Sequence, residues 1–277
     1  LSPGEDDRGA FGADYARLPQ VDPDRIYDWV DEGKPHLGGV SKLVVNLDTL
    51  EGEQSFMALA GTSTNCAGGP TPWGSWLSCE ETEETIGPRA GKNHGYVFEV
   101  PASATPGLCD PRPLVGLGRF VHEAAAIDPA TGIVYMTEDR HHSLFYRFIP
   151  NEPGNLSAGG TLQALAIDGP VPFATHNWSR ETYVRVGEPL RTRWITLDNV
   201  DSDEDDLRER GAEACLGHRG DQGRKFRLGG QLFDDIHGRC TASQAHGQAG
   251  REEAGDSSGD DQFHFSCSIK CFGGSMS

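Results

Sequence analysis

The stretch "RFVHEAAAIDPATGIVYMTEDRHHSLFYRFIP", from Arg119 to Pro150, limits the fold more than any other part of the chain. Its apolar runs "EAAAI", "GIVYMTED" and "SLFYRFIP" are short, and turn residues divide them. "DPATG" places Pro inside a turn that closes on Gly, the chemistry of a tight reversal. The segment predicts three antiparallel strands in a meander. "SKLVVNLDTLEGEQSFMALAG" predicts two more around the turn "LDTLEG". "WGSWLSCEE", "HGYVFEVPA", "TLQALAIDG" and "RTRWITLDNVD" predict one strand each. No amphipathic helix is legible before residue 200, and "DSDEDDLRERGAEACLGH" predicts one short helix. Strand, short turn and strand repeated in this way predict an all-β sandwich, barrel or propeller. "FMALAGTSTN" and "IVYMTEDR" sit at similar places in successive units, which favours a propeller of four-stranded meander blades.

Composition excludes several functions. The 277 residues hold 36 Gly and 17 Pro, a turn-rich balance, and carry a net charge of -18. No basic footprint for nucleic acid exists. No apolar run approaches the roughly 18 residues of a membrane span. An acidic surface favours solubility and suits hard cations. The seven cysteines are odd in number and form no CxxC pair, so neither a zinc ribbon nor a dense disulfide framework is expected. Residues 1–40 read as loop. The chain opens on "LSPGEDD", which reads as an internal cut with no signal peptide. Near Gly229 the periodicity fades into a Gly-, Ser- and His-rich segment. Residues 1–228 are therefore expected to form the folded part, and 229–277 a disordered or frameshifted tail. Cys240, His246, Cys267 and Cys271 in that tail match no standard zinc spacing.

Three acidic clusters fall at strand ends: Glu80-Glu81, His122-Glu123 and Glu138-Asp139-Arg140. In an all-β fold, strand ends converge on one rim or channel. Carboxylates gathered there repel one another unless a cation compensates them, and calcium takes oxygen ligands from several such groups. Glu123 lies between Val121-His122 and an alanine run, so its charge needs a partner. Glu83 and Glu84 read as a solvated turn. Arg140 offers five fixed donors, for a phosphate or for an ion pair with Glu138 or Asp139. His141 and His142 read equally as metal ligands or ordinary loop residues. Cys66, set between Asn65 and "AGGPTPWG", reads as a turn-bound cysteine: buried and structural, a nucleophile, or a soft metal ligand. No neighbouring His supports a Cys-His catalytic pair.

"GTSTNCAGGPTPWGSWLSCEET" and "GRFVHEAAAIDPATGIVYMTEDR", in this order and spacing, resemble the PhoX family of bacterial alkaline phosphatases. The resemblance covers roughly residues 20–210. It implies a six-bladed β-propeller, exported to the periplasm or outside the cell. It also implies hydrolysis of small phosphomonoesters at a cluster of Fe3+ and Ca2+ in the mouth of the propeller channel. By motif position, Cys66 is the iron-ligating cysteine. A glutamate of the pair Glu80 and Glu81, with Glu81 favoured, joins Glu123 and Asp139 as a carboxylate ligand. Glu138 and Arg140 are candidates for catalytic contacts to cation and phosphate. A monomer is expected. Late-propeller ligands are not visible beyond the weak candidates Asp198 and Asn199, so the chain reads as an incomplete propeller. Two other readings stay open: a calcium-dependent propeller lactonase or phosphotriesterase with no role for Cys66, and a non-catalytic propeller that binds a partner through its loops.

Overall fold

The computed structural model describes residues 18–217 apart from 32, 142, 168–186 and 188. The proposed tail at 229–277 and His142 lie outside the described residues. The described chain is almost all β. In order, the strands are β1 (Trp29–Asp31), β2 (Lys34–Pro35), β3 (Gly38–Val45), β4 (Gly52–Thr62), β5 (Asn65–Pro70), β6 (Ser75–Glu80), β7 (Val97–Pro101), β8 (His122–Ile127), β9 (Val134–Glu138), β10 (Phe145–Pro150), β11 (Gly160–Ile167) and β12 (Thr192–Thr196), followed by helix α1 (Leu207–Gly217). Every sheet is antiparallel and built from strands that are consecutive in the chain: β1-β2, β3-β4, β5-β6-β7 and β8 through β12.

Consecutive meander sheets are the arrangement expected of a partial propeller, although among the described residues these sheets hold two, two, three and five strands rather than four. In the larger one, β12 extends the meander by pairing Thr192–Thr196 against Gln163–Ile167. Residues 1–40, read as loop, contribute the short hairpin β1-β2 and the start of β3.

Alternation explains the packing. β9 and β10 bury every second residue, so that Val134, Met136, Glu138, Leu144, Tyr146 and Phe148 face inward. They meet Leu77 and Cys79 of β6, Leu162 and Ala164 of β11, and Leu207 and Ala212 of α1 in one continuous core. A second core of Tyr27, Leu59, Tyr96, Phe98 and Val100 joins β4 to β7 and to the segment before β1. Each fully buried leucine or phenylalanine contributes about 1.5–3 kcal/mol by leaving water.

"NCAGGP", read as a turn, is strand β5. Its glycines serve close packing. A Cβ on Gly69 would lie 2.0 Å from the Ala125 carbonyl oxygen of β8, and one on Gly68 (φ +145°) would lie 1.8 Å from the Leu77 carbonyl oxygen. Only glycine lets the β5 backbone lie this close to both neighbouring strands. That approach carries Cys66 towards Glu123.

Candidate metal centre

Each residue of the acidic cluster sits where the regular ladder stops. The β5-β6 register breaks between Asn65 and Gly68, which includes Cys66. The β8-β9 register breaks between His122 and Ala125, which includes Glu123. Glu81 directly follows β6, and Asp139 directly follows β9. Bulges re-aim side chains, and strand ends free them from the pleat. The ends are pinned by backbone bonds from Glu81 N to Thr64 O (2.9 Å) and from Asp139 N to Val121 O (3.1 Å). One carboxylate oxygen each from Glu81, Glu123 and Asp139 lies within 4.8 Å of the others. The Cys66 thiol and Glu81 lie close enough for each to shift the other's protonation, and Asp139 lies close enough to shift that of Glu81.

The electrostatics follow from this crowding. Burial, with the neighbouring Glu81 and Glu123 carboxylates, pushes the Cys66 thiol up to about 11. Burial and the Asp139 carboxylate push Glu81 up to about 7. Burial and Asp139 also raise Glu123. Burial first, and the crowding of like charge second, favour the protonated forms here. A cation among them would remove the penalty and deprotonate the thiol.

The other candidates lie elsewhere. Glu80 does not face the cluster. Its carboxylate is fully buried and accepts from Ser63 N (2.8 Å), Gly95 N (2.8 Å) and Tyr96 N (3.2 Å), with His94 Nδ1 at 2.7 Å. Glu138 is buried too. It bonds Arg208 (2.8 Å), the Leu144 amide (3.2 Å) and the Tyr146 hydroxyl (3.1 Å), so it ties β9 and β10 to α1 rather than reaching the cluster mouth. Burial raises its pKa, with Arg208 opposing. His122 is buried against Phe120, its Nε2 3.0 Å from the Gly118 carbonyl oxygen, and burial lowers its pKa to about 3. It is therefore a neutral core histidine. Asp198 and Asn199 lend their carbonyls to Arg210.

Arg140 pairs with Glu83 and lies 3.8 Å from Asp205. Glu83 is thus no solvated turn residue. Burial and Asp205 push its pKa up to about 7 against the opposing pull of Arg140. Ser63, Thr64, Thr82, Glu83, Glu84, Arg89, Arg140 and Asp205 line an open polar hollow. Thr82 and Arg140 directly follow Glu81 and Asp139, so the hollow borders the cluster. Asp205 and Arg208 escaped the sequence reading because they lie far along the chain from Arg140 and Glu138, the groups they join.

The family model for Alkaline phosphatase PhoX matches residues 35–226. The chain belongs to the PhoX family. Cys66, Glu81, Glu123, Asp139 and Arg140 all fall within the PhoX match, whereas Asp28 precedes it. The chain is also similar to the solved structure "Pseudomonas fluorescens PhoX in complex with vanadate, a transition state analogue", at 21% identity and a TM-score of 0.36. The similarity covers 58% of this chain and 36% of that PhoX chain, so the sequence spans about a third of its relative. Comparison with curated proteins finds no match.

Proposed function

We propose that the chain carries the metal-binding half of a PhoX-type phosphomonoesterase site, with Cys66, Glu81, Glu123 and Asp139 as ligands and Arg140 as the phosphate contact. The observation that supports this most is the convergence of three carboxyls from one register break and two strand ends, with the Cys66 thiol in the neighbouring break electrostatically coupled to Glu81 and Glu123. The donor set fits the implied ions. Oxygen-rich carboxylates suit Ca2+, and a thiolate among carboxylates suits ferric iron, which is softer than calcium and removes the thiol proton on binding.

When bound, such ions would supply positive charge to neutralise a phosphate ester and its transition state. This chain's own residues do the rest. Glu83 and Asp205 hold the Arg140 guanidinium at the hollow, leaving it donors for phosphate oxygens. Arg89, ion-paired to Glu84 at 3.3 Å, adds a second cationic group to the rim. Ser63, Thr64 and Thr82 offer hydroxyls for hydrogen bonds to the ester. Glu138 and Arg208 brace β9 beneath Asp139. Small phosphomonoesters at the periplasmic or external face are the substrates this reading assigns. Among the described residues no helix is long and apolar enough to cross a membrane.

The test is hydrolysis of p-nitrophenyl phosphate, with elemental analysis of the same sample. Activity should disappear with a calcium chelator and return with Ca2+. Cys66→Ala should lose iron and activity together, and Arg140→Gln should raise KM. Chelator-resistant hydrolysis, or full activity in Cys66→Ala, would overturn the reading.

A further inference from the structure

A second group of potential ligands lies on the other side of Glu80 from the acidic cluster. Asp28 precedes β1, His36 follows β2, and His94 precedes β7. All three are buried, at 2%, 8% and 0% exposure. The β1-β2 hairpin brings the first two together, sealed by a backbone bond from His36 N to Asp28 O (3.1 Å). Asp28 Oδ2 lies 3.1 Å from His94 Nε2 and 3.5 Å from His36 Nε2. One ligand atom from each residue fits within 4.8 Å of the others.

The surroundings orient these atoms as ligands. Glu80, itself fully buried, sits 2.7 Å from His94 Nδ1, and Asp28 Oδ2 lies 3.1 Å from its Nε2. Against the lowering effect of burial the two carboxylates raise the imidazole's pKa, and a proton kept on Nδ1 facing Glu80 would free the Nε2 lone pair for a cation beside Asp28. His36 hydrogen-bonds to the Arg89 backbone, while its buried Nε2 has no hydrogen-bond partner. The Gly91 and Lys92 amides bond Asp28 Oδ2 at 2.9 and 3.0 Å and hold the carboxylate in place. In that tautomer of His94 two imidazole lone pairs and a carboxylate converge, with the Gly91 and Lys92 amides to offset the negative charge. Buried lone pairs in contact require a proton or a cation. The spacing accommodates a metal. Zinc–nitrogen and zinc–oxygen bonds of about 2.0–2.2 Å give tetrahedral ligand–ligand edges of about 3.3–3.6 Å, near the 3.1 and 3.5 Å observed here.

We infer that Asp28, His36 and His94 form a zinc-class divalent site, separate from the acidic cluster, with solvent as the fourth ligand at the partly open His36 edge. Its role is structural. It joins the β1-β2 hairpin to the loop before β7 and, through Glu80, holds the end of β6 from which Glu81 projects.

The test is titration of the dialysed full chain with Co2+, read by the visible bands of a tetrahedral site, then displacement with Zn2+ and elemental analysis. Wild type should take up one equivalent of this kind, and its melting temperature should rise until that equivalent is bound. His36→Ala should lose this equivalent and the rise, while Glu123→Gln should keep both. His36→Cys retains a ligand, so it should keep the site and add a thiolate-to-cobalt charge-transfer band, which distinguishes ligation from a folding defect. Absence of tetrahedral Co2+ in wild type would assign the convergence to a shared proton and overturn the inference. An unchanged spectrum in His36→Ala would overturn it equally.

Discussion

Glu80→Gln tests the division of labour between the two neighbouring glutamates. The substitution keeps the shape and removes one acceptor oxygen. Glu80 Oε1 serves Ser63 N and His94 Nδ1, and Oε2 serves Gly95 N and Tyr96 N. Whichever way a glutamine lies, its NH2 group faces two donors. Two bonds to a charged acceptor are lost, at about 1.5–3 kcal/mol each. Their loss totals about 3–6 kcal/mol, a large part of the roughly 5–15 kcal/mol that holds a domain folded. In urea denaturation the midpoint should fall by the corresponding amount, with the slope unchanged. Glu81→Gln lies at a half-buried strand end and should cost about 1 kcal/mol or less, although on the proposed reading it should abolish calcium-dependent hydrolysis. If Glu80→Gln were as stable as wild type while Glu81→Gln unfolded the chain, the assignment of the two residues would be reversed.

The Glu81 carboxyl is raised from 4.5 to about 7, so its proton stabilises the fold fully below pH ~4.5 and that contribution is lost as pH rises through ~7. The shift corresponds to about 3 kcal/mol, which solvent screening at this rim reduces to about 1–2 kcal/mol. In chelator, the wild-type melting temperature should drop by about 2–8 °C across that window. The drop should shrink in Glu81→Gln and be offset by Ca2+, and equal profiles for the two proteins would refute the coupling. Arg208→Met should cost about 3–5 kcal/mol by leaving Glu138 buried and unpaired. Adding Glu138→Gln should recover part of that cost in a double-mutant cycle, and strict additivity would deny the pair. Gly69→Ala forces a Cβ against the Ala125 carbonyl and should cost about 3 kcal/mol, at the upper end of overpacking. A crystal structure or a melting curve indistinguishable from wild type would show that β5 can shift away from β8.

Strands were legible where one face is buried, because "GIVYMTE" and "FYRFIP" alternate against the core. β5 was not. Gly and Pro signal a turn, whereas here Gly68 and Gly69 answer to backbone on either side, a tertiary demand that leaves no local trace. The family motif singled out Cys66, Glu81, Glu123 and Asp139, and the fold brings one carboxylate oxygen of each of the last three within 4.8 Å of the others. It could not separate Glu80 from Glu81, since alternation says that neighbours diverge but not which face meets which partner. Glu138 read as a candidate for catalytic contacts because it stands in the family's acidic segment at a strand end, and its partner Arg208 lies 70 residues further on. The Asp28, His36 and His94 group was invisible for the same reason. Its members span 66 residues and begin in a segment read as loop.

Glu80 and Glu81 carry like charge and occupy consecutive positions, yet their environments oppose each other. Glu80 is surrounded by donors, with three backbone amides and one imidazole around one carboxylate. Glu81 is surrounded by acceptors and by a thiol that burial keeps protonated. Donors leave Glu80 satisfied within the protein, so it has nothing to offer a ligand. Crowded acceptors leave Glu81 and its neighbours in need of positive charge from outside, which is the condition for binding a cation. Because both carboxylates hang from the end of one strand, the donor-rich side sets where the acceptor-rich side sits. Loosening His94 should therefore reach the acidic cluster through the single peptide bond that joins Glu80 to Glu81, weakening cation binding there even though His94 is not one of its ligands.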